Sequence, residues 1–456
     1  MNIIILGAGK VGQAVTQHLA DDDNDIVVID LKVDKVEAMV DQYDILGILG
    51  NGATSDILEE AGVAEADMII AVTDSDELNI LACLMAKQLG VKYSIARVRN
   101  PDYLKQRRFM RDQLGISMII NPELEAANEI RRILMFPSAF QVDSFVGGRI
   151  EMAEFRLKKQ TKLNQLPIHS LSTVSKTNIL VCAVQREKEI IVPDGKLILQ
   201  EGDRIYVTGM HRDLVKFCQD INLFEQKTTK VIIVGGGRIS FYLAKQLIEQ
   251  GIQVKIIENN PQRCIELSEK LPEATIIEAD GSEEEVLLEE GIQKVDALIS
   301  LTGLDEENIV LSLYGKNMKV KKTVAKITRM NFSGILSQIE IDSIISPKEI
   351  IATHILRYVR AKNNKDEETS VKTLHKFINN ELEAMEFVVT ETSQLLNKKI
   401  MDLELKQNIL FAGISRGNNL VIPNGSTVIN LHDHVIILTI KDHRIGNLND
   451  ILLKRF

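Results

Sequence analysis

Short apolar segments alternate with amphipathic helical patterns along the first part of the chain. The apolar segments are rich in branched residues and lie at 2–6, 25–30, 44–49, 68–73, 93–98 and 117–120. Between them, apolar residues recur three or four positions apart, which predicts helices with one buried face. Two such series are Val11, Val15 and Leu19, and Leu78, Leu81, Met85 and Leu89. Alternating strands and helices form a parallel sheet covered on both faces, so the pattern predicts a doubly wound, Rossmann-like α/β domain over residues 1–123.

A different pattern covers residues 140–224. Strands predicted at 154–157, 179–184 and 204–207 are separated by turn sequences at Pro193-Asp194-Gly195 and Glu201-Gly202-Asp203. Proline, aspartate and glycine favour tight reversals of the chain. A helical stretch at 213–218 and a polar linker at 226–229 follow. This region is therefore predicted to be a small α+β module.

Both patterns return in the second half of the chain. Gly235 repeats Gly7 and Glu258 repeats Asp30, at one offset of 228 residues, since 235 − 7 and 258 − 30 are equal. The Pro-Asp-Gly turn returns as Pro423-Asn424-Gly425. Repetition at a fixed offset indicates an internal duplication. The predicted modules are two tandem Rossmann-like lobes at 1–123 and 230–348, each followed by a small α+β lobe, at 140–224 and 370–453, with a charged stretch at 361–370.

Composition narrows the class of protein. Of the 456 residues, 45% are hydrophobic and 26% are charged, which is ordinary for a globular protein. No apolar run has the length of a transmembrane helix, and the chain begins directly in a strand without an export signal. The formal net charge of −10 argues against a general affinity for nucleic acid or anionic lipid, so membrane association is expected to need a protein partner. The four cysteines show no Cys-x-x-Cys spacing and are expected to be core residues.

The first glycine motif, Gly7-Ala8-Gly9-Lys10-Val11-Gly12, lies between a strand and a helix. Gly7 permits a tight turn, Gly9 lets backbone N–H groups approach a pyrophosphate, and Gly12 lets the helix pack closely on the strand. The helix N-terminus adds about half a unit of positive charge, which favours phosphates. Asp30 ends the second strand, where a carboxylate accepts hydrogen bonds from the adenosine ribose and repels a 2′-phosphate. These residues predict an NAD site, and the alternative is a set of glycine turns beside a solvated surface acid.

Polar residues at the ends of three further strands are expected around the same crevice. Asn51 and Gly52 follow the third strand, Thr73 and Asp74 follow the fourth, and Arg97 lies in the fifth. Thr73 can donate a hydrogen bond to a phosphate or ribose, and Arg97 can pair with a phosphate or stack on adenine. Singly, each is more often a cap or a surface residue. Together they extend the candidate site to Asn51, Thr73, Asp74 and Arg97.

A second candidate site, at Gly235-Gly236-Gly237-Arg238-Ile239 with Glu258, departs from the first. Glu258 still supplies a ribose acceptor, and Arg238 can add a phosphate contact. Three positions differ, with Ser240 for Gly12, Gly303 for Asp74 and Lys326 for Arg97. We therefore expect a nucleotide at this site whose affinity or identity differs from that of the first.

No pattern typical of catalysis accompanies either crevice. Hydride transfer needs an acid–base residue aimed at a substrate, and neither His18, His354 nor the His432-Asp433-His434 segment is predicted beside a crevice. His432 and His434 would share a strand face, but two ligands without a third make a weak metal site. The sequence therefore predicts that the chain is not an enzyme and that it holds no metal ion. An NAD-dependent oxidoreductase with two nucleotide domains is the alternative, and a purely structural scaffold is a third.

The motif at 7–12, Asp30, Asn51-Gly52, the segment Thr73-Asp74-Ser75-Asp76-Glu77-Leu78-Asn79 and the Pro-Asp-Gly module resemble the TrkA family of Trk-type potassium uptake regulators. Members of that family contain two RCK units (regulators of potassium conductance), each with a nucleotide-binding N-lobe and a small C-lobe. The resemblance covers essentially the whole chain. It implies that residues 7–11, Asp30, Asn51, Thr73, Asp74 and Arg97 hold the first NAD(H), and that residues 235–239 and Glu258 form the second site.

The resemblance also implies a function and an assembly. It implies a cytoplasmic subunit, peripheral on the inner face of the cell membrane, that binds a Trk-type potassium transporter subunit and controls it according to the bound nucleotide. NAD(H) is the expected cofactor, with ATP or ADP as further ligands, and a cyclic dinucleotide in the C-lobes stays open. A homo-oligomer, a tetrameric ring on the transporter, is expected, and nucleic acid is not an expected partner.

Overall fold

The computed structural model describes residues 1–456 except 21, 23, 136–138, 188, 224–227, 329–340, 364–370, 379–380, 418, 441–444 and 454–456. The linker predicted at 226–229 and the charged stretch predicted at 361–370 lie partly outside the described residues. The chain forms two compact units. Unit 1 comprises Met1–Arg131 and Thr229–Leu356, and unit 2 comprises Arg132–Thr228 and Arg357–Phe456.

N-lobe 1 is a six-stranded parallel sheet in the order β3-β2-β1-β4-β5-β6. Its strands are β1 Asn2–Leu6, β2 Asp25–Asp30, β3 Leu46–Leu49, β4 Met68–Ala71, β5 Tyr93–Arg97 and β6 Met118–Ile120. Its helices are α1 Lys10–Ala20, α2 Val33–Gln42, α3 Ser55–Glu60, α4 Asp76–Gln88, α5 Pro101–Lys105, α6 Arg107–Asp112 and α7 Pro122–Met135. The strand order reverses between β1 and β4, which confirms the predicted doubly wound fold.

C-lobe 1 is a five-stranded antiparallel sheet in the order β10-β9-β11-β8-β7. Its strands are β7 Ala139–Phe145, β8 Ile150–Arg156, β9 Ile179–Arg186, β10 Glu189–Ile191 and β11 Arg204–Gly209. Its helices are α8 Leu171–Val174 and α9 His211–Asp220, with 3₁₀ turns at Val146–Gly148 and Ile168–Ser170. The predicted α+β character of this region is confirmed.

N-lobe 2 repeats the parallel sheet in the order β14-β13-β12-β15-β16-β17. Its strands are β12 Lys230–Val234, β13 Gln253–Glu258, β14 Thr275–Glu278, β15 Ala297–Ser300, β16 Lys322–Lys326 and β17 Ser343–Ile345. Its helices are α10 Arg238–Ile248, α11 Pro261–Lys270, α12 Glu284–Glu289, α13 Asp305–Asn317 and α14 Pro347–Asn363, with a 3₁₀ turn at Ile292–Lys294.

C-lobe 2 repeats the antiparallel sheet in the order β18-β19-β22-β20-β21. Its strands are β18 Thr373–Phe377, β19 Leu382–Val388, β20 Ile409–Arg416, β21 Asn419–Val421 and β22 His434–Ile440, with 3₁₀ turns at Ile400–Asp402 and Leu448–Ile451. The order matches that of C-lobe 1 strand for strand, so the duplication extends to the small lobes. The prediction of two tandem Rossmann-like sheets, each followed by a small lobe, is confirmed.

The two central strands of N-lobe 1, β1 and β4, are buried along almost their whole length. Every residue of β4 is buried, and only Asn2 is exposed in β1. Strands covered on both faces need continuous apolar sequence rather than an alternating pattern, which is why these segments consist almost entirely of aliphatic residues.

Helix α4 corrects one detail of the predicted pattern. Leu81 is 48% exposed, and the buried positions of this helix include Asn79, Ala82, Cys83 and Ala86. The helix therefore packs on the sheet mainly through small residues and one amide, while Met85 and Leu89 are partly buried against the same core and Leu81 faces outward.

All four cysteines are buried in the described structure, as predicted. Burial disfavours the thiolate and raises the pKa of the Cys83 thiol to about 12, so it behaves as a core residue. Among the described helices, none combines the length and the apolar character needed to cross a bilayer.

Candidate functional site

The first glycine loop has the backbone geometry that its three glycines predict. Gly7 adopts φ +106°, and a Cβ added there would lie 3.0 Å from the Thr73 backbone nitrogen. A Cβ on Gly12 would lie 1.8 Å from the Gly7 carbonyl oxygen, so helix α1 packs directly on the loop. By contrast, no atom lies within 4 Å of a Cβ built on Gly9. The backbone at Gly9 therefore faces open space, where a phosphate can reach its N–H groups.

Asp30 joins the end of β2 to the glycine loop. Its Oδ2 accepts a hydrogen bond from the Ala8 N–H at 2.7 Å, and its Oδ1 accepts one from the Lys32 N–H at 3.0 Å. The carboxylate thus lies beside the loop, at the place where a dinucleotide-binding fold presents an acid to the adenosine ribose.

A buried amide organises the end of β4. Asn79 is fully buried, and its Oδ1 accepts hydrogen bonds from the Thr73 N–H at 2.9 Å and from the Thr73 hydroxyl at 2.7 Å. Its Nδ2 donates to the carbonyls of Thr73, at 3.1 Å, and of Arg97, at 3.0 Å. Asn79 therefore ties together the ends of β4 and β5, and it fixes the loop that carries Thr73 to the crevice.

Arg97 lies at the bottom of the same crevice and is 8% exposed. Its guanidinium donates to the Val72 carbonyl and to the Asp74 Oδ1, both at 3.3 Å. Burial, reinforced by the positive charge of Arg99, lowers the pKa of Arg97 from its ordinary value. Asp74 itself projects outward with a 93% exposed side chain. Any phosphate contact of Arg97 would therefore compete with these two acceptors.

Asn51 shapes the turn after β3. Its side-chain oxygen accepts from the Ala53 N–H at 3.1 Å, and its carbonyl accepts from the backbone and hydroxyl of Thr54. This Asx-type turn leads into α3 and leaves Asn51 exposed at the crevice rim.

One cavity of about 960 Å³ in unit 1 collects most of the predicted site residues. From N-lobe 1 it is lined by Gly7, Ala8, Gly9, Lys10, Val11, Asp30, Asn51, Thr73, Asp74 and Arg97, and from N-lobe 2 by Gly237, Arg238 and Ile239. The remaining predicted residues, Gly12, Gly235, Gly236 and Glu258, are not among its lining. The cavity is therefore built mainly on the first crevice, and it reaches only the outer end of the second glycine loop.

The charged side chains that line this cavity are mostly cationic. Seven are basic, namely Lys10, Lys32, Lys35, Arg97, Arg238, Lys326 and Lys348, and three are acidic, namely Asp30, Asp74 and Glu123. This excess contrasts with the acidic chain as a whole and favours an anionic ligand.

The second glycine loop reproduces the anchoring of the first. Glu258 accepts from the Gly236 N–H at 2.6 Å and from the Asn260 N–H at 2.8 Å, as Asp30 does. Ser240 replaces Gly12, and its hydroxyl donates to the Gly235 carbonyl. In addition, Arg263 Nε donates to the Gly236 carbonyl at 2.7 Å and ties α11 to the loop.

Two features of the second copy match the first less closely. Lys326 takes the place of Arg97, and its ammonium donates to the Leu301 carbonyl at 3.3 Å, while burial lowers its pKa. Arg238 extends to within 3.9 Å of the Glu123 carboxylate of N-lobe 1. The basic residue predicted to contact a phosphate in the second site therefore lies on the shared cavity.

The two N-lobes contact each other through their helices. Tyr242 of α10 donates its hydroxyl hydrogen to the Arg99 carbonyl at 3.2 Å, and the Asn121 amide donates to the same hydroxyl at 3.4 Å. On the other side, His18 of α1 lies 3.0 Å from the Glu349 carboxylate of α14. Each helix that begins at a glycine loop thus contacts the opposite lobe.

His432 and His434 are placed differently from the prediction. His432 has φ +65° and precedes β22, which begins at His434, so the two do not share a strand face. His434 is hydrogen-bonded to Glu386 at 2.7 Å. In the part of the chain that the structure describes, no group of three candidate ligands could hold a metal ion, and no histidine lines the cavity.

Sequence reasoning assigned no role to Asn79, Asp76 or Arg263. Asp76 is 8% exposed and accepts from the N–H groups of Arg99 and Asn100, so it fixes the loop after β5. The signal was present, because Asn308 repeats Asn79 and makes the same bonds, to Thr302 and to the Lys326 carbonyl. A repeated polar residue inside an apolar helix face indicates a buried hydrogen-bonding role.

Family comparisons agree with the duplicated architecture. The family model of the TrkA-N domain matches residues 3–122 and 231–347, and that of the TrkA-C domain matches residues 152–235 and 384–446. The Trk system potassium uptake protein TrkA of Halomonas elongata is 32% identical over 451 residues, covering 98% of each chain. Trk system potassium uptake protein TrkA homolog 1 of Methanosarcina mazei is 31% identical over 447 residues, covering 96% of this chain and 97% of its own.

Solved structures share the fold at low sequence identity. The GsuK channel bound to NAD has a TM-score of 0.64 at 17% identity and covers 97% of this chain and 77% of its own. The GsuK RCK domain has a TM-score of 0.63 at 17% identity and covers 97% of this chain and 92% of its own. These structures share the fold, and the two family models with the full-length relatives show that the chain belongs to the TrkA family of Trk system potassium uptake proteins.

Proposed function

We propose that this chain is the cytoplasmic regulatory subunit of a Trk-type potassium uptake system, and that it binds NAD(H) in the first crevice to control a membrane potassium transporter. The observation that carries the proposal is the first glycine loop, whose open backbone at Gly9 lies beside the Asp30 carboxylate on a cationic cavity. The names of the full-length relatives support the link to potassium uptake.

The residues of the first crevice fit a dinucleotide. Backbone N–H groups at Gly9 and Lys10 would hold the pyrophosphate at the start of α1, and Asp30 would accept hydrogen bonds from the adenosine ribose. Leu31 is 67% exposed and lines the cavity directly after Asp30, so it offers an apolar surface to the adenine ring. The carboxylate of Asp30 disfavours a 2′-phosphate, which selects NAD over NADP.

ATP and ADP are further ligands of the same crevice in this proposal. Seven basic side chains against three acidic ones favour a ligand with more charge than a dinucleotide carries. The GsuK channel has been solved bound to NAD and bound to ADP, so a fold of this type accommodates both. In N-lobe 2, residues Gly235 to Ile239 with Glu258 would form a second nucleotide site of different affinity.

The proposed role is regulatory and not catalytic. No histidine lines the cavity in the described structure, and hydride transfer needs an acid–base group aimed at a substrate. The expected result is binding of NADH without its consumption. Steady oxidation of NADH by the pure protein with a simple metabolite, lost on replacing a cavity side chain, would instead support the oxidoreductase.

Assembly completes the proposal. Each chain would supply four modules, bounded at 1–123, 140–224, 230–348 and 370–453. Four copies of the chain would form a homo-tetrameric ring on the inner face of the membrane. Closed rings are the usual result of repeated homologous faces. The transporter subunit would be the protein partner through which this acidic chain reaches the membrane.

Two measurements test the proposal. The pure protein can be titrated with NAD, NADH, ATP, ADP and cyclic dinucleotides in a calorimeter. NAD(H) is expected to bind in the first crevice, with a stoichiometry of at most one equivalent per chain at that site. Potassium flux into vesicles that contain the cognate transporter is expected to depend on this protein and on the added nucleotide. Flux that is the same with and without the protein, under every nucleotide, would refute the regulatory role.

A further inference from the structure

The two C-lobes of unit 2 present equivalent positions that carry different residues. Phe145 pairs with Ile150 between β7 and β8, and Phe377 pairs with Leu382 between β18 and β19. The same registers pair Asp143 with Met152 and His375 with Ala384. Asp143 in C-lobe 1 and His375 in C-lobe 2 are therefore the same position of the duplicated fold.

These two equivalent residues contact each other inside unit 2. The His375 Nδ1 is hydrogen-bonded to the Asp143 carboxylate, and the two side chains are 3% and 13% exposed. The Arg357 guanidinium lies 2.8 Å from the same ring nitrogen and 3.7 Å from the Asp143 carboxylate. Equivalent residues meet only close to the axis that relates two lobes. Pairing of like lobes would thus bring two aspartates or two histidines together at this place.

Other contacts across the C-lobes are equally one-sided. The Phe145 ring packs on the His375 ring with centroids 4.5 Å apart, and the Tyr206 ring packs edge-on against Phe377 at 5.6 Å. Tyr206 lies two residues after Arg204, which begins β11, and Ile436 lies two residues after His434, which begins β22. Tyr206 and Ile436 are therefore equivalent positions of the two lobes. Because Ile436 has no ring, the Tyr206–Phe377 contact is not repeated as an aromatic contact between Ile436 and Phe145.

One hydrogen bond and one close approach also run from side chains of C-lobe 1 to the backbone of C-lobe 2. The Thr208 hydroxyl donates to the Ala412 carbonyl at 2.5 Å, and its equivalent in C-lobe 2 is Leu438, which has no hydroxyl. Gly413 faces Ile150 of C-lobe 1, whose Cδ1 lies 3.9 Å from where a Cβ would stand. At these two places the Thr208 hydroxyl and the Ile150 side chain of C-lobe 1 lie against the backbone of C-lobe 2.

We propose that the Asp143–His375 pair selects the pairing of C-lobe 1 with C-lobe 2 over the pairing of either lobe with a copy of itself. Two copies of C-lobe 2, each with the Arg357 of the preceding helix α14, would bring together two imidazoles and two guanidiniums without the Asp143 carboxylate. Two C-lobes 1 would place Asp143 against Asp143. Buried charge pairs are weak contributors to net stability but can determine which surfaces pair.

A charge-swap cycle on the full chain tests this selection. Asp143→His and His375→Asp each create a like pair at the axis, and the double variant restores an unlike pair in reverse order. We expect each single change to lower the unfolding midpoint of the chain. The double variant should recover stability, with a coupling of about ten-fold in the unfolding equilibrium constant.

A matched exposed pair in the same unit provides the control. His211 lies 3.1 Å from the Glu151 carboxylate within C-lobe 1, and its side chain is 52% exposed. The swap of Glu151→His with His211→Glu should show a coupling of no more than about two-fold, as exposed pairs usually do. If the single axis variants fail to fold, recovery of folded protein in the double variant supports the proposal. A double variant that is as unstable as the sum of its singles overturns it.

Disulfide trapping tests which C-lobes pair with each other, independently of the stability of the chain. Oxidised Asp143→Cys and His375→Cys chains, each tested alone, are expected to remain single chains on a denaturing gel. The combined variant is expected to close a disulfide within the chain. Covalent dimers of either single variant would show that like lobes pair and would overturn the proposal.

Discussion

Replacing Asp30 with Ala is the sharpest test of the first nucleotide site. In the structure this carboxylate accepts two backbone hydrogen bonds, from Ala8 and from Lys32, and it is the group expected to accept from the ribose. A hydrogen bond to a charged acceptor contributes about 1.5–3 kcal/mol. Its loss should weaken NAD binding by about 10- to 150-fold, because 1.4 kcal/mol corresponds to a factor of ten.

The substitution also removes the acceptor for the buried Ala8 N–H, so the loop itself could change. Asp30→Asn separates the two effects, because an amide keeps one acceptor for the loop and loses the charge. Both variants should bind NAD more weakly and should narrow the preference for NAD over NADP, since the repulsion of a 2′-phosphate disappears.

Calorimetry with NAD and NADP measures both quantities, with Glu258→Ala as the matched control in the second copy. The control should leave the tightest NAD dissociation constant unchanged. An unchanged constant in both Asp30 variants, with the fold intact by circular dichroism, would refute the assignment of this carboxylate.

Three further predictions follow from single contacts. Gly12→Ala should abolish tight NAD binding, because the added Cβ would lie 1.8 Å from the Gly7 carbonyl oxygen. Ser240→Gly places the first-site residue in the second loop and should be tolerated. Calorimetry and thermal unfolding of the two variants test this difference. Asn79→Ala should lower the free energy of unfolding by about 2–4 kcal/mol, since it leaves several buried partners unsatisfied, and chemical denaturation measures this. The hydrogen bond from His18 lowers the pKa of Glu349 below its ordinary value, so this contact stabilises the fold above the ordinary carboxyl range, and the stabilisation is lost as the pH falls through the lowered pKa. The acid unfolding profile of His18→Ala should be shallower there, and an identical profile would contradict this.

The strands and the glycine loops were predictable because they depend on local sequence. A strand buried on both faces needs a continuous apolar run, and a positive φ needs glycine, so Gly7 and β1 are fixed by a few neighbouring residues. The offset of 228 then made the second copy predictable from the first. The exposure of Leu81 was not predictable in this way, because both faces of α4 carry apolar residues and the choice depends on what packs against them.

The supporting hydrogen bonds of the site were harder to predict. The Asn79 amide and the Asp76 carboxylate act on backbone groups more than fifteen residues away, at Arg97 and Arg99, and only the folded sheet brings those groups together. Arg97 shows the same limit. Its position at the end of β5 was predictable, but its hydrogen bonds to Val72 and Asp74 depend on neighbouring strands.

If the first crevice binds a nucleotide as proposed, the contacts between the N-lobes would offer a route from that crevice to the second lobe. Arg97 ends β5 at the cavity, and two residues later the Arg99 carbonyl accepts from Tyr242 of α10, the helix that begins at the second glycine loop. The equivalent of Tyr242 in the first copy is Ala14, which has no hydroxyl, so this contact has one direction only. A ligand shifts such an arrangement only by its differential affinity for two states, and a ten-fold preference corresponds to about 1.4 kcal/mol. That free energy is comparable to one or two hydrogen bonds of this kind, so rearrangement of the Tyr242 contact would be large enough to couple the proposed nucleotide binding to the position of N-lobe 2.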